Sequence, residues 1–214
     1  RNFWGGNPDL NPEFSHNLEL GFLRIFERGS LFSAVYYRRT TGVTERIQRV
    51  NPDGTSITRP ENLATQDNYG FELNANYKLA AWLKVNGDLN LFQEIVDGGE
   101  EFPELRAETF TWFTRATAQF DITKRTEGQI RFNYRAPRQT TQGRTRSIWR
   151  TDLAVSHEIF NGNGSLTLSV RDVFNTRIRR SVVRGVDFVR ENQFQWQGTV
   201  VNMTMSYRID QQKR

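Results

Sequence analysis

The sequence predicts an all-β chain, an antiparallel up-and-down meander of about nine long strands, on three observations. Apolar and polar residues alternate with a period of two, the repeat of a strand whose faces meet different surroundings. The alternating segments run to ten residues or more, beyond the ~5–6 usual in soluble sheets. The connections between them are short and long by turns, and no segment makes an amphipathic helix.

Residues 15–27 open the pattern, and 30–41 follow across Glu27-Arg28-Gly29-Ser30, with the apolar face of the second segment ambiguous. In 68–78, Tyr69, Phe71, Leu73, Ala75 and Tyr77 alternate with Asn68, Gly70, Glu72, Asn74, Asn76 and Lys78. A turn around Leu79-Ala80-Ala81 leads to 83–92, where Leu83, Val85, Gly87, Leu89 and Leu91 alternate with Lys84, Asn86, Asp88, Asn90 and Phe92. In 109–121, Phe110, Trp112, Thr114, Ala116, Ala118 and Phe120 form one set. Ile122-Thr123-Lys124-Arg125 then turns the chain into 129–135, with Ile130, Phe132 and Tyr134. Residues 147–158 and 164–176 meet at Asn161-Gly162-Asn163-Gly164, where Asn and Gly tolerate positive φ. In 192–209, Phe194 and Trp196 share one parity while Val201, Met203, Met205 and Tyr207 share the other, so a bulge is expected near Gln197-Gly198. Asp172-Val173-Phe174 breaks the alternation of Leu166, Leu168 and Val170; a lipid-side Asp is costly, which predicts a bulge or the membrane boundary there.

Long connections fall at 41–65, 96–106, 137–146 and 177–191, all at one end of the meander. Short turns at one end and long loops at the other are the pattern of outer-membrane barrels, whose turns are periplasmic and loops extracellular. Aromatic rings prefer the headgroup level, and Tyr69, Phe71, Phe110 and Trp112 at one end, with Tyr77 and Phe120 at the other, are the expected lipid-facing girdles. Lys84, Arg115, Arg131, Arg135 and Arg171 fall on the polar parity and are expected to face the lumen. There they would pair with Glu72, Asp88 and Asp121, or draw an anionic solute inward. The competing arrangement is a soluble half-buried sheet, a surface or adhesin module that binds glycans through its aromatics. The longest apolar run, Leu79 to Leu83, is five residues, too short for a membrane helix of ~20. An antiparallel barrel closes on an even number of strands, so about nine would form one arc of a larger one, as in plugged transporters of ~22 strands.

The 214 residues include no cysteine, which removes disulfides, thiol catalysis and Cys-based zinc sites together. Lys and Arg number 29 against 24 Asp and Glu, a net +5 spread over many strands rather than clustered, and no nucleic-acid partner is expected. His16 and His157 lie in strands with no nucleophile motif near them, so no catalytic residue is assigned. Asp97-Gly98-Gly99-Glu100-Glu101 lacks the alternating ligands of a calcium loop and reads as a solvated loop; Asn51-Pro52-Asp53-Gly54 is turn chemistry. No cofactor and no metal are expected. Arg138, Arg144, Arg146, Arg177, Arg179 and Arg180 lie toward the loop end, where lipopolysaccharide phosphates are the expected contacts. The opening Arg1-Asn2-Phe3-Trp4-Gly5-Gly6 reads as a cut within a longer protein.

Asn7-Pro8-Asp9-Leu10-Asn11-Pro12-Glu13, followed by Asn17-Leu18-Glu19-Leu20-Gly21-Phe22, resembles a stretch of TonB-dependent outer-membrane receptors. Ser169-Val170-Arg171-Asp172-Val173-Phe174-Asn175-Thr176 resembles their penultimate-strand motif, and Ser206-Tyr207-Arg208-Ile209 their last strand. The resemblance implies that residues 1–214 are the C-terminal part of the barrel domain, with a plug, a TonB-contacting segment and earlier strands preceding it. It further implies TonB-dependent uptake of a bulky solute (siderophore, cobalamin, oligosaccharide or peptide), with the partners being outer-membrane lipid, lipopolysaccharide, the plug, TonB and the cargo. The family usually ends on an aromatic residue, whereas Ile209 here is followed by Asp210-Gln211-Gln212-Lys213-Arg214.

Overall fold

A computed structural model describes residues 2–185 and 188–209. Its main sheet has nine antiparallel strands, each hydrogen-bonded to its neighbours in the chain. In order they are β1 (Phe14–Phe26), β2 (Gly29–Thr41), β3 (Thr65–Ala80), β4 (Leu83–Asp97), β5 (Arg106–Thr123), β6 (Thr126–Arg135), β7 (Ile148–Ile159), β8 (Gly164–Arg171) and β9 (Val200–Tyr207). The meander expected from the period-two pattern is therefore present, with β1 and β9 as its two edges.

Residues directly opposite one another on antiparallel strands share a face, and the register carries one apolar face across the sheet. Leu73 lies opposite Ser33 and Leu89, Ala116 opposite Gly87 and Phe132, Leu153 opposite Ile130 and Val170, and Leu168 opposite Val155 and Met203. On the reverse face Asp88 lies opposite Asn74 and Arg115, Arg131 opposite Thr117 and Asp152, and Thr167 opposite Ser156 and Thr204. The burial is inverted relative to a water-soluble sheet. Leu20 is 76% exposed, Leu168 50% and Met203 73%, while Asn90, Glu94, Thr111 and Thr117 are buried. Nine strands ~4.8 Å apart and an apolar band ~25 Å tall give an apolar surface on the order of 1,000 Å². The largest patch on a soluble monomer is ~300–600 Å².

The short turns lie where the sequence places them. Ala80 pairs with Leu83 across Ala81-Trp82, and Thr123 pairs with Thr126 across Lys124-Arg125. Between β7 and β8 the turn Phe160–Gly162 uses positive φ at Asn161 (55°) and Gly162 (92°).

The long connections differ from the plain loops expected. Residues Thr44–Val50 and Ser56–Asn62 form a hairpin that Asn2–Trp4 joins in parallel. Arg138–Thr140, Gly143–Thr145, Arg179–Arg184 and Val189–Phe194 form a second, four-stranded sheet. Val43, Ile47, Leu63, Val96, Phe102, Leu105 and Ala107 pack into a buried cluster. The acidic run 97–101 is thus the shoulder of a packed loop, because Phe102 and Leu105 just beyond it anchor the chain. The opposed parities in 192–209 have a different cause from the bulge expected. Phe194 ends a strand of the loop sheet and Val201 lies in β9, so the segment changes sheets. The unusual ending, Asp210–Arg214, and the opening Arg1 lie outside the described residues.

Candidate functional site

Two rows of rings border the apolar face. At the loop end Trp112 lies 4.5 Å from Tyr134, and Trp149 lies 6.4 Å from Phe132 and 5.7 Å from Phe174. At the turn end Phe26 meets Tyr77 edge-on at 6.4 Å and Phe160 meets Tyr207 at 5.5 Å. Tyr69, Phe71 and Phe110 stand exposed in the first row. In the second, Phe120 folds over Gly128, whose missing Cβ makes room for the ring. Ten residues separate Phe110 from Phe120; at ~3.3 Å each on a strand tilted ~40° they span about 25 Å, the height of an outer-membrane apolar band.

All five cations expected on the polar side fall on the polar face and are exposed. By register Lys84 is opposite Lys78 and Gln119, Arg115 opposite Asp88 and Asn133, Arg131 opposite Asp152, Arg135 opposite Phe113 and Ile148, and Arg171 opposite Val200. Their expected pairing with Glu72, Asp88 and Asp121 is not formed: among the described residues none of the five makes an ion pair. Arg115 Nε instead donates to Asn133 Oδ1 at 3.3 Å. Glu72 accepts from Asn90 Nδ2 at 2.5 Å, and Asn90 Oδ1 accepts from the Tyr36 hydroxyl at 3.1 Å. The ion pairs lie elsewhere. Arg138 Nη2 reaches buried Glu94 Oε1 at 2.6 Å, with Gln66 Nε2 donating to the other carboxylate oxygen at 2.9 Å. Arg150 Nε lies 3.0 Å from Asp152 Oδ2 but off the hydrogen-bonding direction.

Above the polar face the loops are joined into a cap. Gln48 N–H donates to Gln142 Oε1 at 2.8 Å and Gln142 Nε2 returns a bond to the Gln48 carbonyl at 2.9 Å, across 94 residues of chain. Thr141 Oγ1 donates to Glu45 Oε2 at 2.8 Å, and Gly143–Thr145 pairs with Arg179–Arg184. At the hairpin tip, the Thr55 hydroxyl and N–H both donate to Asp53, which holds its carboxyl below the usual carboxylate range. Gln142→Ala removes both reciprocal bonds, each worth about 1 kcal/mol, and should speed proteolytic nicking of the 41–65 loop on intact cells. The barrel's heat-sensitive gel migration should not change.

Asp172 supplies the last built feature. It does not face lipid: β8 ends at Arg171, and a φ of 53° at Asp172 turns its carboxylate into the protein, where the residue is 2% exposed. Its oxygens accept from Thr176 N, Thr176 Oγ1 and Arg177 N at 2.9, 3.3 and 3.0 Å. The Asp-Val-Phe-Asn-Thr run is thus a capped turn just beyond the end of β8, and the alternation breaks because the strand ends there rather than through a bulge within it.

No three acidic or histidine side chains converge among the described residues. His157 Nδ1 lies 2.9 Å from Thr126 Oγ1 near the turn end. Sequence reasoning missed Tyr36, Gly70, Phe92 and Phe113 as a group, since they are spread over four strands and only pairing brings them together. It also missed the Gln48–Gln142 bond, for which no local signal exists.

Comparison with known proteins agrees with this architecture. Among solved structures the chain is similar to the copper transporter OprC (TM-score 0.66, 13% identity, 94% of this chain and 32% of that one). It is similar to the FrpB iron transporter from Neisseria meningitidis (TM-score 0.63, 14% identity, 97% and 32%). A variant of the ferric enterobactin receptor PfeA from Pseudomonas aeruginosa also matches (TM-score 0.57, 14% identity, 78% and 26%). The chain spans about a third of the length of the first two of these proteins. Nothing among curated proteins matches it. At these identities the likeness is one of fold, and it bears out the barrel resemblance carried by the Asn-Pro and Asp-Val-Phe-Asn-Thr runs. The model of the outer membrane protein beta-barrel family matches residues 1–207, and the chain, a multistrand wall set in the outer membrane, belongs to that family.

Proposed function

We propose that the chain is the C-terminal wall of a TonB-dependent outer-membrane transporter and performs no chemistry of its own. One observation carries the reading. A single antiparallel sheet presents an exposed apolar face bordered by two aromatic rows, and its other face is polar and carries exposed arginines that make no ion pair among the described residues, under a folded cap. In this arrangement Tyr69, Phe71, Tyr77, Phe110, Trp112 and Phe120 contact lipid, and Lys84, Arg115, Arg131, Arg135 and Arg171 face the lumen. The β1 and β9 edges pair with other strands of a barrel of ~22, because free backbone groups at a sheet edge cannot persist in hydrocarbon. The plug fills the lumen, cargo enters beneath the cap, and energy relayed through TonB moves the plug. The solved relatives are named for copper, iron and ferric enterobactin, which supports a transport role; the bulky solute taken by this chain is a siderophore, cobalamin, oligosaccharide or peptide. Arg144, Arg146, Arg177, Arg179 and Arg180 contact lipopolysaccharide phosphates, whereas Arg138 is held by Glu94.

This chain has no cysteine, so thiols introduced into it report orientation once any cysteine elsewhere in the intact protein is replaced by serine. In the intact protein on living cells, Pro52→Cys should react with a membrane-impermeant maleimide. Lys124→Cys should react only after the outer membrane is permeabilised. Labelling of Lys124→Cys on intact cells would overturn the orientation. Failure of the intact receptor to cross-link to TonB would overturn the transport role.

A further inference from the structure

We propose that Tyr36, Phe92 and Phe113, together with Arg135, form a seat for a solute that carries both a flat aromatic ring and a negative charge. The inference rests on the reading that the polar face lines a bore. On that face most side chains are amides, hydroxyls or charges, yet three rings gather near its loop end. Phe92 and Phe113 meet edge-to-face at 6.5 Å with planes 72° apart. A Cβ at Gly70 would lie 2.9 Å from the Tyr36 hydroxyl and 2.7 Å from Phe92 Cβ, so the missing side chain lets Tyr36 and Phe92 converge over a bare backbone floor. Tyr36 is oriented from below: its hydroxyl donates to the buried Asn90, which donates in turn to Glu72.

Charge selects the second half of the ligand. Arg135 stands directly opposite Phe113, is exposed, and makes no ion pair among the described residues. Two nearby carboxylates are engaged, Glu72 by Asn90 and Glu94 by Arg138 and Gln66. Asp88 makes no ion pair among the described residues and lies one pair further down the strands, opposite Arg115 rather than opposite a ring. The charge directly opposite a ring is therefore a guanidinium, which binds a carboxylate or phenolate through paired N–H donors. The rings accept a planar partner by offset or edge-on packing. A neutral sugar would use the rings and leave Arg135 without a counter-charge.

The test uses the intact receptor in lipid nanodiscs with 2-naphthoate, its uncharged amide 2-naphthamide, and maltohexaose as probes. Saturable binding of 2-naphthoate in the millimolar range is expected, with the amide about tenfold weaker. The double variant Phe92→Leu, Phe113→Leu keeps apolar volume, so it should assemble normally and lose about tenfold in naphthoate affinity. Arg135→Gln should remove the preference for acid over amide. Unchanged affinity in the double variant, equal binding of acid and amide, absence of naphthoate binding, or preference for maltohexaose would each overturn the proposal. A receptor that still labels at Pro52→Cys, stays silent at Lys124→Cys and cross-links to TonB would then keep its role as a transporter wall while losing this ligand class.

Discussion

Ala116→Arg should prevent assembly of the intact barrel, whereas Arg131→Ala should assemble as the parent does. Ala116 lies between Trp112 and Phe120 on β5, opposite Gly87 and Phe132, at the middle of the apolar face. An arginine at the midplane of an outer-membrane barrel costs ~2–4 kcal/mol, because nothing in the hydrocarbon replaces its hydration. The neighbours offer no relief, since Gly87 has no side chain and Phe132 no acceptor. Leu73→Arg, facing Ser33 and Leu89, should behave the same way. Arg131 is exposed on the reverse face and makes no ion pair among the described residues, so its loss removes charge without stranding a partner. Heat-modifiable migration of the full protein separates the outcomes: a folded band for Arg131→Ala, and none for the other two variants. Equal behaviour of the two classes would mean that the faces are assigned the wrong way round.

Asp172→Ala should be the most damaging change outside the apolar face. It removes the acceptor for Thr176 N, Thr176 Oγ1 and Arg177 N in a site that is 2% exposed. A buried donor left unsatisfied costs ~1–3 kcal/mol, so losing two backbone partners amounts to about 3 kcal/mol. Alanine also fits the φ of 53° less well than Asp, whose polar side chain tolerates the left-handed region. Asp172→Asn keeps one oxygen acceptor and the backbone preference, and should lose only about a third as much. The turn leads into Arg177, Arg179 and Arg180, so tryptic cleavage of the refolded protein reads the effect directly. The 177–191 loop should be cut faster in Asp172→Ala than in Asp172→Asn. Identical cleavage would show that the rest of the loop sheet, and not this carboxylate, holds the segment.

The strands were legible because lipid imposes a strict rule at every second residue. Leu73 and Ala116 had to be apolar wherever the sheet met hydrocarbon, and Asn74 and Arg115 were free to be polar. The turns were legible for a local reason, since Asn161 and Gly162 adopt backbone angles that few other residues accept. The cap was not legible. Its strands are three to seven residues long, too short for a period to show, and its fastening joins Gln48 to Gln142 across 94 residues of chain. Side-chain partners were no better marked. Parity placed Arg115 and Asp88 on one face, but whether they touch depends on rotamers, and Arg115 turned to Asn133 instead. The aromatic group beneath the cap failed for the same reason as the Gln pair: Phe92 and Phe113 are unremarkable in their own strands and become neighbours only once β4 and β5 are in register.

The knot of Val43, Ile47, Leu63, Val96, Phe102 and Leu105 sits beyond the aromatic row, where the solvent is water. Its cohesion is the ordinary aqueous kind, weakening on cooling and yielding to urea. The strands below owe their persistence to backbone groups that have no alternative partner in acyl chains. One molecule thus answers to two media at once, and denaturants will take it apart in stages, loosening the mouth long before the cylinder gives way.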